Sequence, residues 1–431
     1  MRQVSLCIRG GRVIDPASSV DSVADLWIDQ GRILQIGCQQ DLLALEWIDA
    51  SGKIVCPGLI DMHVHLREPG REEDETIATG CASAIAGGVT SVACMPNTEP
   101  PIDCQSAAEF VIQQAHRAGL ANVFPVGALT KGRLGQELAE MAGLVLGGAV
   151  AFTDDGSPVT DSEVMRRAME YAKGLGKTVL SHSEDLTLTR GAVMHEGVES
   201  LRLGLKGYPS AAEEIMIYRE IALAEMTGAS LHILHVSTAG GVELIRIARE
   251  KGLPVTGEAS PHHLLLTDES LRGFDSNYKM SPPLRSQADI NALLQGLRDG
   301  VITVLATDHA PHAAEKKMRE LDQAPNGIIG LETFLPICIK ALIEPGILTW
   351  PQMIAAMTIH PARVLGIDRG TLSPDVPADV TIIDPDKHWV IDPGRFQSRA
   401  RNTPFAGWKV KGLAEQVVVG GKIVQRVSPL A

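Results

Sequence analysis

Asp61-Met62-His63-Val64-His65-Leu66-Arg67 follows an apolar run, residues 54–60, that predicts a buried β-strand. Side chains two residues apart on a strand point to the same face, so His63 and His65 project together, with Asp61 and Arg67 on that side. Two imidazoles on one face at the end of a strand provide half of a metal site. Two unrelated histidines, one of them packed in a core, would give the same pattern. The motif alone therefore leaves both interpretations open.

Strand-like and helix-like segments alternate through the middle of the chain. Alternation of this kind predicts parallel strands joined by right-handed helical crossovers, and eight units fit a (β/α)₈ barrel of the TIM type. An open, doubly wound sheet is the alternative, but no glycine-rich nucleotide motif follows a strand. The strand-like runs are 54–65, 88–96, 122–130, 148–154, 178–183, 231–237, 255–261 and 302–308. The clearest helical segments are 106–118, 162–175, 211–227, 242–251 and 289–299.

The two ends of the chain have a different texture from the middle. Short strand-like pieces separated by Gly and Asp fill both ends, with no helix-length amphipathic pattern in the first of them. We therefore predict an α/β protein in which both termini build one small β-sandwich domain. The predicted division is 1–56 for the first part of the sandwich, 57–365 for the barrel and 366–431 for the second part.

Composition restricts the classes of partner and the compartment. The formal net charge of −13 and the lack of a Lys/Arg-rich run argue against nucleic acid and against an anionic membrane surface. The N-terminus lacks a signal-peptide pattern, and no apolar stretch approaches the ~20 residues that span a bilayer. The seven cysteines form no C-x-x-C pair, which argues against a sulfur-ligated zinc and for a reducing compartment. We expect a cytoplasmic protein.

Chemically active side chains gather at the predicted strand ends, where a barrel carries its active site. Taken singly, His182 would be a core residue, Asp308 a helix N-cap and Asp155 a turn residue. These His and Asp residues cluster at five strand ends. The cluster as a whole, more than any one residue, indicates a common site. The strand-end residues are His63 and His65 (first strand), Asp154 and Asp155 (fourth), His182 (fifth), His235 (sixth), and Asp308, His309 and His312 (eighth).

Two histidine pairs need separate interpretation. Strand parity places His232 and His235 on opposite faces, so at most one enters the barrel, and His235, at the strand end, is the better candidate. The other pair, His262 and His263, consists of neighbours that diverge, and it is interpreted as structural. The remaining set of four His and two Asp exceeds what one tetrahedral zinc takes, and suits two divalent cations sharing a carboxylate. Nitrogen and oxygen ligands favour Zn²⁺, with Mn²⁺ or Co²⁺ as alternatives. Such a centre predicts hydrolysis of an amide-like C–N bond.

Five ordered motifs resemble the amidohydrolase superfamily and, within it, the bacterial dihydroorotase family, over essentially the whole chain. The five motifs are Asp61-Met62-His63-Val64-His65-Leu66-Arg67-Glu68-Pro69-Gly70, Met95-Pro96-Asn97-Thr98, Phe152-Thr153-Asp154-Asp155-Gly156, Ser260-Pro261-His262-His263-Leu264 and Ala306-Thr307-Asp308-His309-Ala310-Pro311-His312.

The resemblance implies a role for each metal ligand. It implies that His63, His65 and Asp308 bind one cation and that His182 and His235 bind the other. It also implies that Asp155 bridges the two. Related enzymes use a carboxylated lysine as the bridge, but no Lys lies between residues 147 and 158. Asp308 is implied as the catalytic residue, the general base in hydrolysis and the general acid in ring closure.

The resemblance also implies a substrate that carries a carboxylate. The planar donor fork of Arg67 matches a carboxylate. Ser281 and Asn326 depart from the family pattern, which has Asn and an aromatic residue at these positions, so we expect weaker substrate affinity. The charge-rich segment 313–328 is predicted to be an active-site lid. The implied substrate-binding residues are His65, Arg67, Asn97, Ser281, His312, Asn326 and Gly327.

The activity implied is reversible hydrolysis of (S)-dihydroorotate to N-carbamoyl-L-aspartate by a metal-bridging hydroxide, in de novo pyrimidine (UMP) biosynthesis. One alternative is another cyclic amidase, an allantoinase or hydantoinase, which would lack the Arg67 and Asn97 carboxylate pocket. A second alternative is a non-catalytic dihydroorotase-like subunit of aspartate transcarbamoylase, which would be expected to lose metal ligands. The expected partners are the small-molecule substrate, a second copy in a homodimer and, as a further option, aspartate transcarbamoylase. Neither nucleic acid nor membrane is expected.

Overall fold

The computed structural model describes residues 2–39 and 41–426. Two sheets at the centre of the chain and one sheet built from both ends organise the fold. The strands are β1 (Arg2–Asp15), β2 (Val20–Asp29), β3 (Arg32–Ile36), β4 (Leu42–Asp49), β5 (Ile54–Pro57), β6 (Leu59–Val64), β7 (Val89–Cys94), β8 (Asn122–Pro125), β9 (Val179–Ser181), β10 (Met194–His195), β11 (Gly207–Tyr208), β12 (Leu231–Ile233), β13 (Val255–Ala259), β14 (Val304–Leu305), β15 (Val380–Val390), β16 (Lys409–Val419) and β17 (Lys422–Arg426).

The central strands close into a parallel ring. Strands β6, β7 and β8 pair in that order, and β9, β12, β13 and β14 form a second parallel group. Phe152 joins the groups by parallel bridges to Gly127 and Val179, and Val64 pairs with His309 to close the ring. This arrangement is the eight-membered barrel that the sequence predicts.

Helices cover the outside of the ring and lie between successive strands. The five helical segments predicted from spacing correspond to α2, α4, α7, α8 and α9, with ends that differ by up to three residues. The helices are α1 (Ile77–Ala86), α2 (Gln105–Ala118), α3 (Met141–Leu146), α4 (Ser162–Gly174), α5 (Leu186–Thr189), α6 (Val198–Leu203), α7 (Ser210–Thr227), α8 (Ala239–Glu250), α9 (Gln287–Arg298), α10 (Ala314–Lys317), α11 (Phe334–Cys338), α12 (Trp350–Ala356) and α13 (Ile359–Leu365). Among the described residues, no helix is both long enough and apolar enough to cross a membrane.

The two ends of the chain share one eight-stranded sheet. Its order is β17-β16-β15-β5-β1-β2-β3, and β4 pairs with β1. Strand β5 lies between β1 from the N-terminal part and β15 from the C-terminal part, so it connects the two halves. The α/β fold class, with a barrel and a composite β domain, is thereby confirmed.

Two details differ from the sequence prediction. The apolar run 54–60 is not one strand, because the strand is interrupted at Gly58. Strand β5 joins the composite sheet, and β6 starts the barrel. A Cβ at Gly58 would lie 2.1 Å from Thr90 Oγ1, so only glycine fits this crossing. The predicted fourth strand, 148–154, is reduced to the bridges of Phe152.

Candidate metal centre

Six buried side chains converge at the carboxyl ends of the barrel strands. His63 lies near the end of β6 and His65 just beyond it, whereas Asp155 follows the Phe152 bridge. The remaining three also follow the strands of the second group: His182 comes after β9, His235 after β12 and Asp308 after β14. All six are buried. The structure therefore brings together the whole set of ligands named from the sequence.

Asp155 occupies the middle of this cluster. Its Oδ1 lies 3.2 Å from His182 Nδ1 and 3.6 Å from both His63 Nε2 and His235 Nε2, and its Oδ2 lies 3.6 Å from His65 Nε2. Burial opposes ionisation, but the charge of His63 and hydrogen bonds from the neighbouring rings hold the pKa of Asp155 well below its usual range. One carboxylate thus faces four ring nitrogens, as a bridging ligand requires.

Asp308 completes the other side of the cluster. Its Oδ1 lies 3.0 Å from His65 Nε2 and 3.4 Å from His63 Nε2. Burial raises its pKa, but the charge of His63 and the hydrogen bond from His65 outweigh burial and hold that pKa below the usual range. The carboxylate is therefore ionised near neutrality, which is the form that accepts a proton.

The donor set fits divalent cations. Candidate ligand atoms lie within 4.8 Å of one another in two groups, His63 with Asp155 and His235, and His63 with His65 and Asp308. His63 Nε2 is buried without a hydrogen-bond partner, and His182 Nδ1 lies only 2.9 Å from His235 Nε2. Cations placed between these groups would satisfy the facing nitrogen lone pairs and neutralise the carboxylates of Asp155 and Asp308.

Three residues orient ligand rings: Glu258 and Glu184, which the sequence prediction missed, and Asn97, which it named only as a substrate contact. Glu258 Oε1 accepts from His63 Nδ1 at 2.6 Å, which directs Nε2 of that ring into the centre. Glu184 Oε2 accepts from His182 Nε2 at 2.9 Å, and Asn97 Oδ1 accepts from His65 Nδ1 at 2.8 Å. A glutamate within the otherwise uncharged strand β13 was the available signal for Glu258.

Of His232 and His235, only His235 belongs to the candidate ligand groups, as predicted. The His232 ring donates through Nε2 to Glu258 Oε2 at 3.1 Å, whereas the backbone N–H of His235 donates to Oε1 at 3.2 Å. The parity argument itself does not reach His235, because β12 ends at Ile233 and His235 adopts a φ of 33°. Strand parity does not continue through a left-handed residue.

Left-handed backbone also places two other site residues. Asp308 has a φ of 51° and Arg67 a φ of 61°, values that residues with a Cβ seldom adopt. Asp61 supports the turn before Asp308, because it accepts from the backbone N–H of Thr307 at 3.1 Å and from the Thr307 hydroxyl at 2.5 Å. Arg67 therefore reaches the site through a turn and not, as expected, by extension of the first strand, which ends at Val64.

A cavity of about 740 Å³ opens beside the metal ligands. Arg67 is buried, and its Nε donates to the Pro311 carbonyl at 3.1 Å. Burial and the nearby charge of Arg71 lower the pKa of Arg67 to about 10, so the guanidinium stays charged at neutral pH. All of the substrate-binding residues named from the sequence line this cavity: His65, Arg67, Asn97, Ser281, His312, Asn326 and Gly327.

The segment predicted as a lid is held by buried lysines. Lys317 Nζ donates to the carbonyls of Pro325 at 3.0 Å and Gly327 at 3.1 Å, and Lys279 Nζ donates to the Ala324 carbonyl at 2.7 Å. His312 Nε2 donates to the Asn326 carbonyl at 2.7 Å. These contacts fix the backbone of Asn326 and Gly327 at the cavity.

Asn402 connects the composite β domain region to the same segment. Its Oδ1 accepts from the backbone N–H of His312 at 3.1 Å, and its Nδ2 donates to the carbonyls of Ala310 and Gly327, each at 3.0 Å. His263, interpreted as structural, donates to the Pro282 carbonyl at 3.0 Å, next to Ser281. Distant parts of the chain thus support the cavity wall.

Lys317→Met should change how stability depends on pH. Burial, together with the charge of Lys279, lowers the pKa of Lys317 to about 7, whereas an unfolded lysine titrates near ~10.4. Above pH 7 the unfolded chain therefore binds more protons than the folded chain, and this lysine adds about 2 kcal/mol of stability between pH 7 and pH 9. Urea unfolding at both pH values should show this rise in the unaltered protein relative to Lys317→Met. The same pH dependence in both proteins would contradict the burial of a titrating Lys317.

Comparison with known proteins gives full-length matches. The protein-family description "Dihydro-orotase-like" matches residues 52–240. A protein named Dihydroorotase from Geobacter sp. (strain M21) is 53% identical over 424 residues, which cover 98% of this chain and 99% of that protein. A protein of the same name from Pelotomaculum thermopropionicum is 52% identical over 423 residues, 98% of this chain and 99% of that protein.

Solved structures with the same architecture are similar at lower identity. The L-hydantoinase (dihydropyrimidinase) of Arthrobacter aurescens aligns with a TM-score of 0.89 and 27% identity, covering 99% of this chain and 97% of that one. The dihydropyrimidinase of Brevibacillus agri NCHU1002 aligns with a TM-score of 0.83 and 26% identity, covering 97% and 95%.

Proposed function

The chain belongs to the dihydroorotase family of cyclic amidohydrolases, and from this premise we propose that it interconverts (S)-dihydroorotate and N-carbamoyl-L-aspartate in de novo pyrimidine biosynthesis. The observation that carries the proposal is identity of about half the residues over the full length of proteins with that name. A buried arginine, Arg67, that lines the cavity beside a His/Asp cluster able to hold metal supports it independently. In the hydrolytic direction a water oxygen adds to the ring carbonyl carbon, and the C–N bond of the amide breaks.

We assign one divalent cation to His63, His65 and Asp308, and a second to His182 and His235, with Asp155 shared between them. Zn²⁺ suits these nitrogen and oxygen ligands best, and no cysteine joins the set. When bound, the cations would lower the pKa of the attacking water and polarise the scissile carbonyl.

The protein's own groups would handle the proton and the substrate carboxylate. Asp308 would take the proton of the attacking water and deliver it to the leaving nitrogen, and it would act in the opposite sense during ring closure. Arg67 would bind the carboxylate through its donor fork, with Asn97 and His312 beside it. Burial and the charge of Arg67 lower the pKa of His312 to about 2, so this ring is neutral, and its single N–H donates to the Asn326 carbonyl and not to the substrate.

The remaining contacts involve the residues that depart from the family pattern. Ser281 and Asn326 line the same cavity, with Gly327 beside Asn326. A serine reaches less far than the asparagine usual at that position, so a water molecule would bridge Ser281 to the ring.

Dihydroorotate should be hydrolysed with a kcat/KM at least about 100-fold above that for 5,6-dihydrouracil, since a site built for a charged group is left unpaired when the group is missing. Dihydrouracil is the matched control because it is the same ring without the carboxylate. Initial rates for both compounds, and for hydantoin and allantoin, measure this preference. Faster turnover of any of the three other rings would overturn the proposal.

The solved structures make hydantoinase the second candidate. Their overall similarity is high, but their identity to this chain is about half that of the proteins named Dihydroorotase. The same rate comparison decides between the two. A non-catalytic subunit of aspartate transcarbamoylase is the third candidate, and a purified protein that holds no metal and gains no activity with Zn²⁺ would favour it. The homodimer, the transcarbamoylase partner and the cytoplasmic location stay predictions.

A further inference from the structure

Two arginines that the proposed reaction leaves unused line the same cavity as the metal ligands. Arg71 lies in the segment between β6 and α1, and its Nη2 donates to the Asn97 carbonyl at 2.9 Å. Arg133 lies in the short 3₁₀ turn Lys131–Arg133, and its Nη2 donates to the Asp155 carbonyl and, at 3.0 Å, to the Ser157 hydroxyl. Each guanidinium is thus anchored through one nitrogen on a segment that carries a site residue.

The other nitrogens of these guanidinium groups have unused hydrogen-bonding capacity. Nε of Arg71 and Nε of Arg133 are both buried without a hydrogen-bond partner. A Cβ built on Gly156 would lie 3.5 Å from Arg133 Nη2 and 4.0 Å from Asn97 Nδ2, so the Arg133 guanidinium and the Asn97 amide border the same small space. Only Glu99, a mostly exposed carboxylate, approaches Arg71 among the described acids, at 3.6 Å.

The acids near this wall are already engaged in other contacts. Asp155 and Asp308 belong to the metal centre, Glu184 is bonded to His182, and Asp154 is bonded to Leu129 and Thr130. Burial lowers the pKa of Arg133, the charges of Asp155 and Asp154 offset part of this effect, and repulsion from Arg71 lowers the pKa further. An anion in front of the two arginines would relieve this repulsion.

The two ligands of the proposed reaction differ in charge. Dihydroorotate carries one carboxylate, whereas ring opening creates a second, so N-carbamoyl-L-aspartate is a dianion at neutral pH. The chain as a whole has a formal net charge of −13 and repels a dianion more strongly than a monoanion. A local positive wall would therefore matter most for the open-chain acid.

We propose that Arg71 and Arg133 form an outer basic subsite that favours binding of the doubly charged open-chain acid over the singly charged ring. This inference rests on the proposed function and adds residues that determine its charge preference. Coulomb energy adds over the charges of a ligand, so for carboxylates at equal distance from the arginine its loss should weaken a monoanion by a factor f and a dianion by about f². For a solvent-exposed cavity we expect f of about 3.

The test uses two inhibitors of identical skeleton against dihydroorotate hydrolysis. N-carbamoyl-L-aspartate is the dianion, and N-carbamoyl-L-asparagine, with a carboxamide in place of the side-chain carboxylate, is the monoanion. Their inhibition constants are measured for the unaltered holoenzyme, Arg133→Met, Arg71→Met and the charge-retaining Arg133→Lys. Arg167→Met serves as control, because Arg167 is exposed on α4 and paired only with Glu163 and Glu170.

Each methionine variant should raise the inhibition constant of the dianion about tenfold and that of the monoanion about threefold. Arg133→Lys and Arg167→Met should leave both constants within twofold. The equilibrium constant fixes the ratio of the two kcat/KM values, so any loss in kcat/KM must be equal for hydrolysis and ring closure. Equal weakening of the two inhibitors in both methionine variants, or no weakening, would overturn the subsite.

Metal content and basal turnover separate this inference from others. Arg133 contacts the segment of Asp155, so the metal content is measured in every variant. If Arg133→Met loses metal, the inhibition constants of Arg71→Met alone test the basic subsite. An unaltered protein that does not hydrolyse dihydroorotate would instead refute the proposed function. A protein that hydrolyses it normally, with equal shifts for both inhibitors, would refute only the basic subsite.

Discussion

Asp155→Asn should remove most of the bound metal and lower dihydroorotate turnover on the order of 10³-fold or more, which corresponds to a barrier raised by several kcal/mol. The carboxylate faces ring nitrogens of four histidines at 3.2–3.6 Å. An amide in its place offers one neutral oxygen where two negative ones are needed. Metal analysis of the purified variant, together with initial rates, measures both effects.

Asp154→Asn is the matched control for this substitution. Asp154 is the adjacent residue and is also buried, but its carboxylate accepts from the backbone N–H of Leu129 at 2.8 Å and of Thr130 at 3.2 Å. The asparagine oxygen can keep both backbone bonds, but its NH2 group replaces the oxygen that accepts from the Thr130 hydroxyl. The substitution should therefore cost about 1–3 kcal/mol of stability and leave the metal content of the folded protein intact. Full metal in Asp155→Asn, or loss of metal in Asp154→Asn alone, would show that the wrong aspartate has been assigned.

The barrel explains why so much of this site could be predicted from the sequence. Eight parallel strands end at one face, so a polar residue directly after an apolar run is already assigned to a place in space. Asp155, His182 and Asp308 lie far apart in the chain, yet this rule brings them together. The rule holds even where the fourth strand is reduced to the bridges of Phe152, because strand direction, not strand length, sets the position.

Two kinds of information were not accessible in this way. Strand parity ends where the regular backbone ends, so it does not extend to His235 and could not place Arg67. Contacts made through side chains from other strands were also missed, as with Glu258 beneath His63. Asn402 reaches His312 and Gly327 across long sequence separations, and no local pattern announces such a contact.

Asp308→Asn should retain the fold and part of the metal, yet lower hydrolysis by about 10²–10⁴-fold, the usual worth of a positioned general base. The carboxylate lies 3.0 Å from His65 Nε2, and an asparagine oxygen can keep that contact while losing the ability to take a proton. Metal analysis and thermal unfolding establish that the variant is folded and loaded before rates are compared. Near-normal turnover in a folded, metal-containing variant would show that another group is the base.

The pH profile of hydrolysis tests the same assignment. Hydrolysis requires ionised Asp308 and ring closure requires its protonated form, so hydrolysis should fall only where pH approaches the pKa of Asp308, whereas ring closure should fall as pH rises above it. The hydrogen bond from His65 and the charge of His63 outweigh burial and keep the pKa of this carboxyl low, so the ionised form predominates near neutrality. Ring closure is then the direction limited by protonation at pH 7. Ring opening releases a proton, so the equilibrium makes the ratio of the two kcat/KM values change with pH in every variant. The profile of hydrolysis alone therefore tests the assignment: its acid limb should be present in the unaltered enzyme and absent from metal-loaded Asp308→Asn. The same acid limb in both proteins would contradict Asp308 as the base.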